Sequence, residues 1–476
     1  MFVAASFLAG CASDSPYLRP FVDLPAKFLE VTGIGRGEPA QGPDASPAAA
    51  GPDVWPQSDW WTGFGSPDLD RLVETAHGAN NDLVAAEARI RQAIAQAEIA
   101  GAAQFPDLTI SGGGQRQQSA ATATSSSRTS SPIWSNRFNL QLATSYEIDF
   151  WGKNASAVES ARASILASRF AAATTALTTV ANVANGYFQI LGLRERLDYA
   201  RQSLADAEDI LAAVRAREQV GTASLLDIAP QVSIVEGQRA AIASLERQLA
   251  QQSDALGVLL GTAGRPELAQ IALTSLRIPQ VRPGLPSELL RRRPDIANAE
   301  AQLVAANATL RNAIAQRFPS LSLTGAAGFQ SGDLSRLLDP KSQIFSLAAS
   351  LTAPIFAGGR LEGQEKLQRA KFEEIAATYQ KSVIQAFADV ETALSGTKRT
   401  LEQLDAQVAA TAASRLAFDA AQAQYRVGSI DSVTLRDTER SYFNALDALA
   451  QARLGYYQAL VALFQALGGG WELPGE

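Results

Sequence analysis

Apolar residues recur at helical spacing over a very long, uninterrupted segment of the chain. Residues 153–219 contain no proline, so the backbone can continue as a helix throughout. Towards the end of this segment, apolar residues follow at alternating steps of three and four: Ile190, Leu193, Leu197, Ala200, Leu204, Ala207, Leu211 and Val214. This spacing is typical of a coiled-coil stripe. The pattern predicts a single helix that, at 1.5 Å per residue, would be about 100 Å long.

A second apolar series follows each of two short turns that contain glycine. The first series is Ile228, Val235, Ile242, Leu249 and Leu256, and the second is Leu435, Tyr442, Leu449, Tyr456 and Leu463. Residues at this interval lie on one face of a helix, two turns apart. Each series therefore predicts a helix that packs against the long helix before it. The sequence predicts two antiparallel helical hairpins, which reverse at Val220-Gly221-Thr222 and at Val427-Gly428-Ser429.

Apolar and polar residues alternate one by one in the stretch RFNLQLATSYEIDF. The side chains predicted to face one way are Phe138, Leu140, Leu142, Tyr146, Ile148 and Phe150, and those facing the other way are Asn139, Gln141, Ser145, Glu147 and Asp149. A weaker alternation passes through Phe345, Leu347, Leu351 and Ile355. A period of two predicts β-strands. Alternation over about ten residues is typical of strands in a transmembrane barrel, and a half-buried soluble sheet gives the same pattern.

The two halves of the chain resemble each other. The segment AAEARIRQAIAQAEIAGAAQFPDLTISGGG, from Ala85, matches NAEAQLVAANATLRNAIAQRFPSLSLTGAAG, from Asn298. Later, QVGTASLLDI in the first half matches RVGSIDSVTL in the second. Each copy is predicted to contain a helix, two strands, a very long helix, a tight turn and a helix. Because a membrane barrel needs about eight strands, the four strands of one chain would have to be shared among several chains.

Composition and charge exclude several classes of function. The formal net charge is −7, whereas a nucleic-acid-binding protein usually has a basic face. One Cys and one His provide neither an internal disulfide nor the usual Cys- or His-rich metal site. The sequence also lacks a nucleophile elbow and a phosphate-binding Gly-rich loop. We therefore expect no enzymatic activity, no metal site and no nucleic-acid partner.

Three consecutive arginines, Arg291-Arg292-Arg293, stand before Pro294 and Asp295. Proline suits the first turn of a helix, where its missing N–H leaves no hydrogen bond unmade. An aspartate beside it complements the positive end of the helix. The arginines are therefore interpreted as the solvated or ion-paired end of one helix, directly before the start of another.

The N-terminal stretch MFVAASFLAGCAS is an apolar run that ends in small residues before Cys11. Leu8-Ala9-Gly10-Cys11 resembles the bacterial lipobox, in which the Cys is lipidated and becomes the first residue of the mature protein. We expect a covalent lipid on Cys11 and no other cofactor, and Ala12 after it favours the outer membrane. The ten residues before Cys11 include no Lys or Arg, so this signal peptide is interpreted as truncated.

The duplication and the lipobox set the predicted domain boundaries. A stretch rich in Gly, Pro and Ala at residues 33–57 has little periodicity, which indicates an extended tether. The predicted divisions are a signal peptide at 1–10, a lipidated tether at 11–64, a first repeat at 65–261, a linker at 262–286, a second repeat at 287–468 and a C-terminal tail at 469–476.

Several motifs together resemble the outer-membrane efflux family of TolC/NodT type. They are LLRRRPDIANAEAQL, YEIDFWGK with APIFAGGR, and the paired VG turns, within a similarity that runs from WWTGFGSPDLDRLV to LFQALGGGW. The resemblance implies an α+β membrane protein, a homotrimer with a shared twelve-stranded β-barrel continuous with a long periplasmic barrel of coiled-coil α-helical hairpins. Each chain would supply four strands. It also implies a location in the bacterial outer membrane, lipid-anchored and extending into the periplasm.

The same resemblance implies a function and its partners. The protein would be the exit duct of a tripartite efflux system, joined by a periplasmic adaptor protein to an inner-membrane pump. The RRRPDI motif and the lipobox resemble members paired with proton-driven pumps for drugs, toxic compounds or metal ions. A duct for a type I protein secretion system is the closest alternative. A soluble coiled-coil scaffold would leave the alternating strands and the lipobox unexplained.

Two sets of site residues follow from the resemblance. The turns Val220, Gly221 and Thr222 and Val427, Gly428 and Ser429 match the tip motif that meets the adaptor, although a glycine there also serves simply to reverse a helix. Arg426 and Asp437 stand where the family closes its periplasmic mouth with acidic rings and arginine-centred links, and Asp431 is a further acidic candidate. The alternative for each of these three is an exposed charge at the end of a helix.

Overall fold

The computed structural model describes residues 19–22, 25, 28, 55–119, 133–279, 281 and 286–471. The helices are α1 (Pro67–Ala79), α2 (Asn81–Ala102), α3 (Lys153–Gln219), α4 (Leu225–Leu259), α5 (Leu289–Arg292), α6 (Pro294–Ala315), α7 (Arg360–Arg426) and α8 (Ser432–Ala466). The strands are β1 (Asp107–Ser119), β2 (Ile133–Ile148), β3 (Ser320–Ser331) and β4 (Gln343–Thr352). Within the described ranges, no helix has a stretch that is both long and apolar enough to span a bilayer. Cys11 and the signal peptide lie outside these ranges.

The chain divides into two compact units. The strand unit contains Ile90–Ser168 and Ala299–Tyr379, together with Arg19 and Pro20. The helical unit contains Phe21–Arg89, Arg169–Asn298 and Gln380–Glu476, as far as these ranges are described. Each unit therefore combines segments from both halves of the sequence.

The strand unit holds an antiparallel sheet of four strands in the order β1-β2-β3-β4. Strand β2 of the first half pairs with β3 of the second, with Tyr146 opposite Leu323. Strand β1 pairs with β2 alone and β4 with β3 alone, so among the described residues each end strand has one unpaired edge. Every residue of β4 is exposed, including the apolar Phe345 at 88 % and Leu347 at 84 %. The prediction of four strands per chain is confirmed.

Three residues assigned to strands from the alternation lie beyond the strand ends. β2 stops before Asp149 and Phe150, and the Asp149 carboxylate instead accepts a hydrogen bond from the backbone N–H of Ala155 at 2.7 Å. A carboxylate in this position satisfies an N–H in the first turn of α3. β4 stops before Ile355, which follows Pro354, and proline has no N–H to donate to a sheet. The assignment of Asp149, Phe150 and Ile355 to strands, which was based on the alternation, was therefore wrong.

The long helices repeat with equal lengths. α3 and α7 each contain 67 residues, and α4 and α8 each contain 35. The bounds of α3 are those predicted from the sequence. The two halves thus have the same helical hairpin, and the duplication seen in the sequence extends to the helix ends.

The predicted apolar series form the interfaces of the helical unit. In α3, Ala200 and Leu204 are half-buried, and the remaining members are buried: Ile190, Leu193, Leu197, Ala207, Leu211 and Val214. In α8 the whole series is buried: Leu435, Tyr442, Leu449, Tyr456 and Leu463. Aromatic rings reinforce this core, since the Trp60 ring stacks on Phe464 at 4.8 Å between centroids. An aromatic pair of this kind adds about 0.5–1.5 kcal/mol to the effect of burial.

Close to the turns, the helices of both hairpins share a further apolar cluster, named here the tip cluster. Its buried members are Ala207, Ile210, Leu211, Val214, Val235, Phe418, Ala421, Tyr425, Leu435, Tyr442, Phe443 and Leu446. The rings of Phe418 on α7 and Tyr442 on α8 stack at 5.6 Å. The cluster holds the first hairpin, α3–α4, against the second hairpin, α7–α8.

The last of the three arginines is an internal anchor of the helical unit. α5 ends at Arg292 and α6 begins at Pro294, which confirms the predicted boundary. The Arg293 side chain is 11 % exposed and donates to both carboxylate oxygens of Asp295, at 3.0 and 2.7 Å, and to Asp389 at 3.1 Å. Burial opposes its charge, but the hydrogen bonds and charges of these two aspartates prevail and raise the pKa of Arg293. Arg293 is thus ion-paired, which was one of the two environments predicted for the arginines, solvated or ion-paired.

Candidate functional site at the hairpin tips

The first tip (Val220, Gly221 and Thr222) is a turn whose backbone hydrogen bonds close the end of α3. The N–H of Gly221 donates to the carbonyl of Glu218 at 2.8 Å, and the N–H of Thr222 donates to that of Arg217 at 2.9 Å. Gly221 has φ 78°, in the left-handed region. This pair of bonds, with glycine in the left-handed conformation, is the Schellman motif. A side chain at Gly221 would therefore strain the turn.

The second tip (Val427, Gly428 and Ser429) repeats this arrangement. The N–H of Gly428 donates to Tyr425 and that of Ser429 to Gln424, each at 3.0 Å. Gly428 has φ 77°. The Ser429 hydroxyl also donates to the Gln424 carbonyl at 3.0 Å. The two tips are duplicates in their hydrogen bonds as well as in their sequence.

The residues after each turn start the returning helix in different ways. α4 starts with a capping box, in which Ser224 accepts from the N–H of Leu226 at 3.2 Å and donates its own N–H to Asp227 at 3.0 Å. α8 starts with Asp431, whose carboxylate accepts from the N–H of Thr434 at 2.8 Å. Hydrogen bonds from Thr434 lower the pKa of Asp431. The structure therefore places Asp431, an expected gate residue, as the exposed cap of its own helix.

Two polar contacts join the tips of one chain, and neither was predicted from the sequence. The Ser432 hydroxyl donates to Asp227 at 2.6 Å, and this bond is the largest of the effects that lower the pKa of Asp227. The Arg217 guanidinium donates to the carbonyl of Tyr425 at 2.5 Å and lies 4.2 Å from the centre of its ring. The partners are 205 and 208 residues apart, so local sequence patterns carry no signal for them.

The other two expected gate residues lie exposed near the second tip. The Asp437 carboxylate pairs with Arg440 one turn along the same helix, at 3.1 Å, with side chains 63 % and 71 % exposed. Arg426 is the last residue of α7 and is exposed. Within the described residues of one chain, no ion pair joins Arg426 to Asp431 or to Asp437. A gate built from them therefore needs neighbouring copies, and it stays a prediction.

Both tips expose apolar side chains. Val220 is 73 % exposed and Val427 is 80 % exposed, beside their turns. The first tip is the more apolar, since Leu225 and Leu226 after it are 76 % and 84 % exposed, whereas the second hairpin has Ser432 in place of Leu225. Rigid turns that expose apolar side chains are suited to contact with another protein. In the described ranges, no group of three His, Cys, Asp or Glu side chains is arranged to hold a metal ion.

The protein-family model for "Outer membrane efflux protein" matches residues 72–262 and 285–469. The chain belongs to this family. The match confirms the resemblance stated from the motifs. It also gives the chain the function of an outer-membrane component of an efflux system, in a family of transport proteins rather than enzymes.

Individual relatives are similar over nearly the whole chain. The pyoverdine export outer membrane protein OpmQ of Pseudomonas putida is 40 % identical over 449 residues, which cover 92 % of this chain and 93 % of that protein. The cation efflux system protein CusC of Escherichia coli is 28 % identical over 473 residues, 99 % of this chain and 98 % of that protein. The open-state crystal structure of the MtrE outer membrane channel of Neisseria gonorrhoeae has a TM-score of 0.82 at 27 % identity, covering 96 % of this chain and 97 % of that one.

Proposed function

We propose that three copies of this chain form the outer-membrane exit duct of a tripartite efflux system. The observation that carries the proposal is the four-stranded sheet, whose end strands β1 and β4 each have an edge that is unpaired among the described residues. Joining β1 of one copy to β4 of the next removes these edges, which a single sheet would otherwise expose. Two copies would give eight strands and three would give twelve, both enough to close a barrel. The family resemblance favours three.

Disulfide cross-linking tests the shared sheet. One cysteine is placed on β1 at Thr109 and a second is moved along β4, in a Cys11→Ser background that removes the native thiol. We expect covalent trimers at a few β4 positions that alternate with non-reactive ones, because successive strand side chains point to opposite faces. A matched cysteine on the exposed helical residue Glu246 in place of the β4 cysteine should give none. Monomers at every β4 position would contradict the proposal.

The lipid anchor on Cys11 is part of the same proposal. It is supported by the Leu8-Ala9-Gly10-Cys11 motif and by the contacts of Arg19, which follows it in the sequence. Arg19 donates to the Tyr379 hydroxyl at 2.9 Å and pairs with Glu300. These contacts hold Arg19 to the strand unit, the part of the chain that we propose to lie in the outer membrane.

The tips are proposed to bind the periplasmic adaptor. Support comes from two rigid glycine turns with exposed apolar side chains, Val220 and Val427. Arg426 and Asp437, exposed beside the second tip, are proposed to form the closed mouth with their counterparts in the neighbouring copies, and Asp431 is retained as a further acidic group. Within one chain, Asp431 mainly caps α8.

The cargo is proposed to be a small molecule supplied by a proton-driven inner-membrane pump. The relative with 40 % identity is named for pyoverdine export, which favours a cargo similar to pyoverdine over the cations named for the relative with 28 % identity. Because both relatives are named for the export of small molecules or ions, their names also favour a small-molecule cargo over the proteins of a type I secretion system. Cells that lack the chain should retain the cargo in the periplasm and release it again when the gene is restored. Normal release without the chain would contradict this assignment.

A further inference from the structure

One acidic side chain is fully buried where the two hairpins meet. Glu439 on α8 is 0 % exposed, and its partner Gln231 on α4 is 1 % exposed. The neighbours of Glu439 along its own helix, Leu435 and Tyr442, belong to the tip cluster. A carboxyl group in such surroundings is costly when it is ionised, unless a positive charge or several hydrogen bonds compensate for it.

The hydrogen bonds around this pair suit a neutral acid better than a carboxylate. Gln231 Nε2 donates to the Ala207 carbonyl on α3 at 3.2 Å and to the two oxygens of Glu439 at 3.3 and 3.4 Å. Gln231 Oε1 is buried and has no donor among the described residues. An ionised Glu439 only accepts hydrogen bonds, whereas the protonated acid has an O–H to donate. A proton on Glu439 would supply a donor beside Gln231, whose Oε1 lacks one.

The charges that face Glu439 come from two helices. Asp206 on α3 is negative, and Arg436 on α8 is positive. Asp206 in turn has three charged neighbours: Asp209 on α3 and Asp419 on α7 are negative, and Arg415 on α7 is positive. α4 faces Glu439 with the uncharged Gln231. Within the described residues, none of these cations forms an ion pair with Glu439.

Burial is the main influence on Glu439 and raises its pKa from 4.5 to about 7, with a further increase from Asp206 and opposite contributions from Gln231 and Arg436. An acid whose pKa is raised on folding binds more protons in the folded than in the unfolded state. The packing around it therefore weakens as pH rises from about 4.5 to about 7, and the penalty is complete above that range.

We propose that Glu439 is a proton-operated brace between the two hairpins, which holds α8 to α4 and α3 when it is neutral and favours their separation when it is ionised. Separation lets water reach the carboxylate and Gln231 Oε1, which removes the penalty of burying both. The same separation strains the nearby tip contacts of Asp227 with Ser432. The brace acts within a single chain, so it does not depend on the proposed cargo or trimer.

Pulsed electron paramagnetic resonance on the full-length chain tests the brace. Spin labels at Thr222 and Ser429, one on each hairpin, are introduced with Cys11→Ser, and labelled chain is mixed with excess unlabelled chain so that distances within one chain dominate. Between pH 4.5 and 8.5 we expect a shift to longer distances that develops as pH rises towards about 7 and levels off above it. Glu439→Gln should keep the short distance throughout, because its amide donates to Gln231 as the neutral acid does.

Two matched variants separate the brace from other titrations. Glu246→Gln, an exposed residue of α4, should leave the pH response unchanged. Asp206→Asn keeps Glu439 in place and should move the midpoint to lower pH, because a negative neighbour is removed. This variant keeps the test open if Glu439→Gln fails to fold. A distance independent of pH in the unsubstituted chain, a full response in Glu439→Gln, or an unmoved midpoint in Asp206→Asn would each overturn the proposal.

Discussion

Replacing Arg293 by alanine should destabilise the helical unit far more than replacing Arg291, two residues earlier in the same basic run. Arg293 is 11 % exposed and makes three hydrogen bonds to the carboxylates of Asp295 and Asp389. Its guanidinium also lies within 3.4 Å of the Ala386 carbonyl and 3.3 Å of the Ala466 carbonyl. Truncation would remove all five contacts and leave two carboxylates close together.

The expected loss of stability in Arg293→Ala follows from the burial of Arg293 and its two partners. Removing one member of a buried ion pair costs about 3–5 kcal/mol, because the remaining charge is left uncompensated. Asp295 and Asp389 each remain 36 % exposed, so water screens part of that effect. A loss of about 2 kcal/mol of unfolding free energy is therefore expected, after the discount for solvent screening. Arg293→Lys should recover part of it, since lysine keeps the charge but loses the planar fork.

Thermal unfolding of the detergent-solubilised full-length chain, followed by circular dichroism at one fixed scan rate, measures the effect. For Arg293→Ala we expect Tm to fall by roughly 4 °C, from about 2 °C per kcal/mol for a large domain. Arg291→Ala is the control, because Arg291 is exposed, and its Tm should stay within about 1 °C of the unsubstituted chain. Equal Tm values for the two variants would refute the interpretation of Arg293 as an internal anchor.

Three further predictions concern the tips and the anchor. Gly221→Ala should lower the free energy of unfolding by about 1–2 kcal/mol, because φ is positive at this position. Gly237→Ala, inside α4 and with open space around it, should instead stabilise the helix by about 0.5–1 kcal/mol. Thermal unfolding curves of the two variants test this difference. Cys11→Ser should lose the lipid, seen by mass spectrometry of the mature N-terminus, yet stay in the outer-membrane fraction. Arg426→Ala and Asp437→Ala should each raise single-channel conductance, and Asp437→Ala should also lower cation preference. Unchanged conductance and selectivity in both, and in the double variant, would return these residues to ordinary helix-end charges.

Much of the fold could be predicted because it depends on local periodicity and on duplication. The absence of proline allowed residues 153–219 to be predicted as one continuous helix, and the equivalent turn in each half located both hairpins. The seven-residue series identified the buried faces, since every member on α8 is buried. The strand ends were harder to predict. The alternation continues through Asp149 and Phe150, although the Asp149 carboxylate already accepts a hydrogen bond from the first turn of α3.

The contacts between the hairpins could not be predicted from one sequence. Glu439 and Gln231 lie 208 residues apart, and Arg293 and Asp389 lie 96 apart. A charged residue on a helix is usually solvated, so periodicity alone gives no reason to bury these particular side chains. The same limit applies to the gate, because within the described residues of one chain no ion pair joins Arg426 to Asp437 and indicates a shared role.

The role of exit duct is tested most directly by measuring export in cells where this chain is the sole outer-membrane efflux protein, together with its own adaptor and pump. A fluorescent pump substrate is loaded, and its appearance in the medium is followed with and without the chain. We expect release to require the chain, and we expect the substrate to collect in the periplasm when the chain is absent. Release at the same rate in its absence would contradict the central claim that this protein is the outer-membrane exit duct.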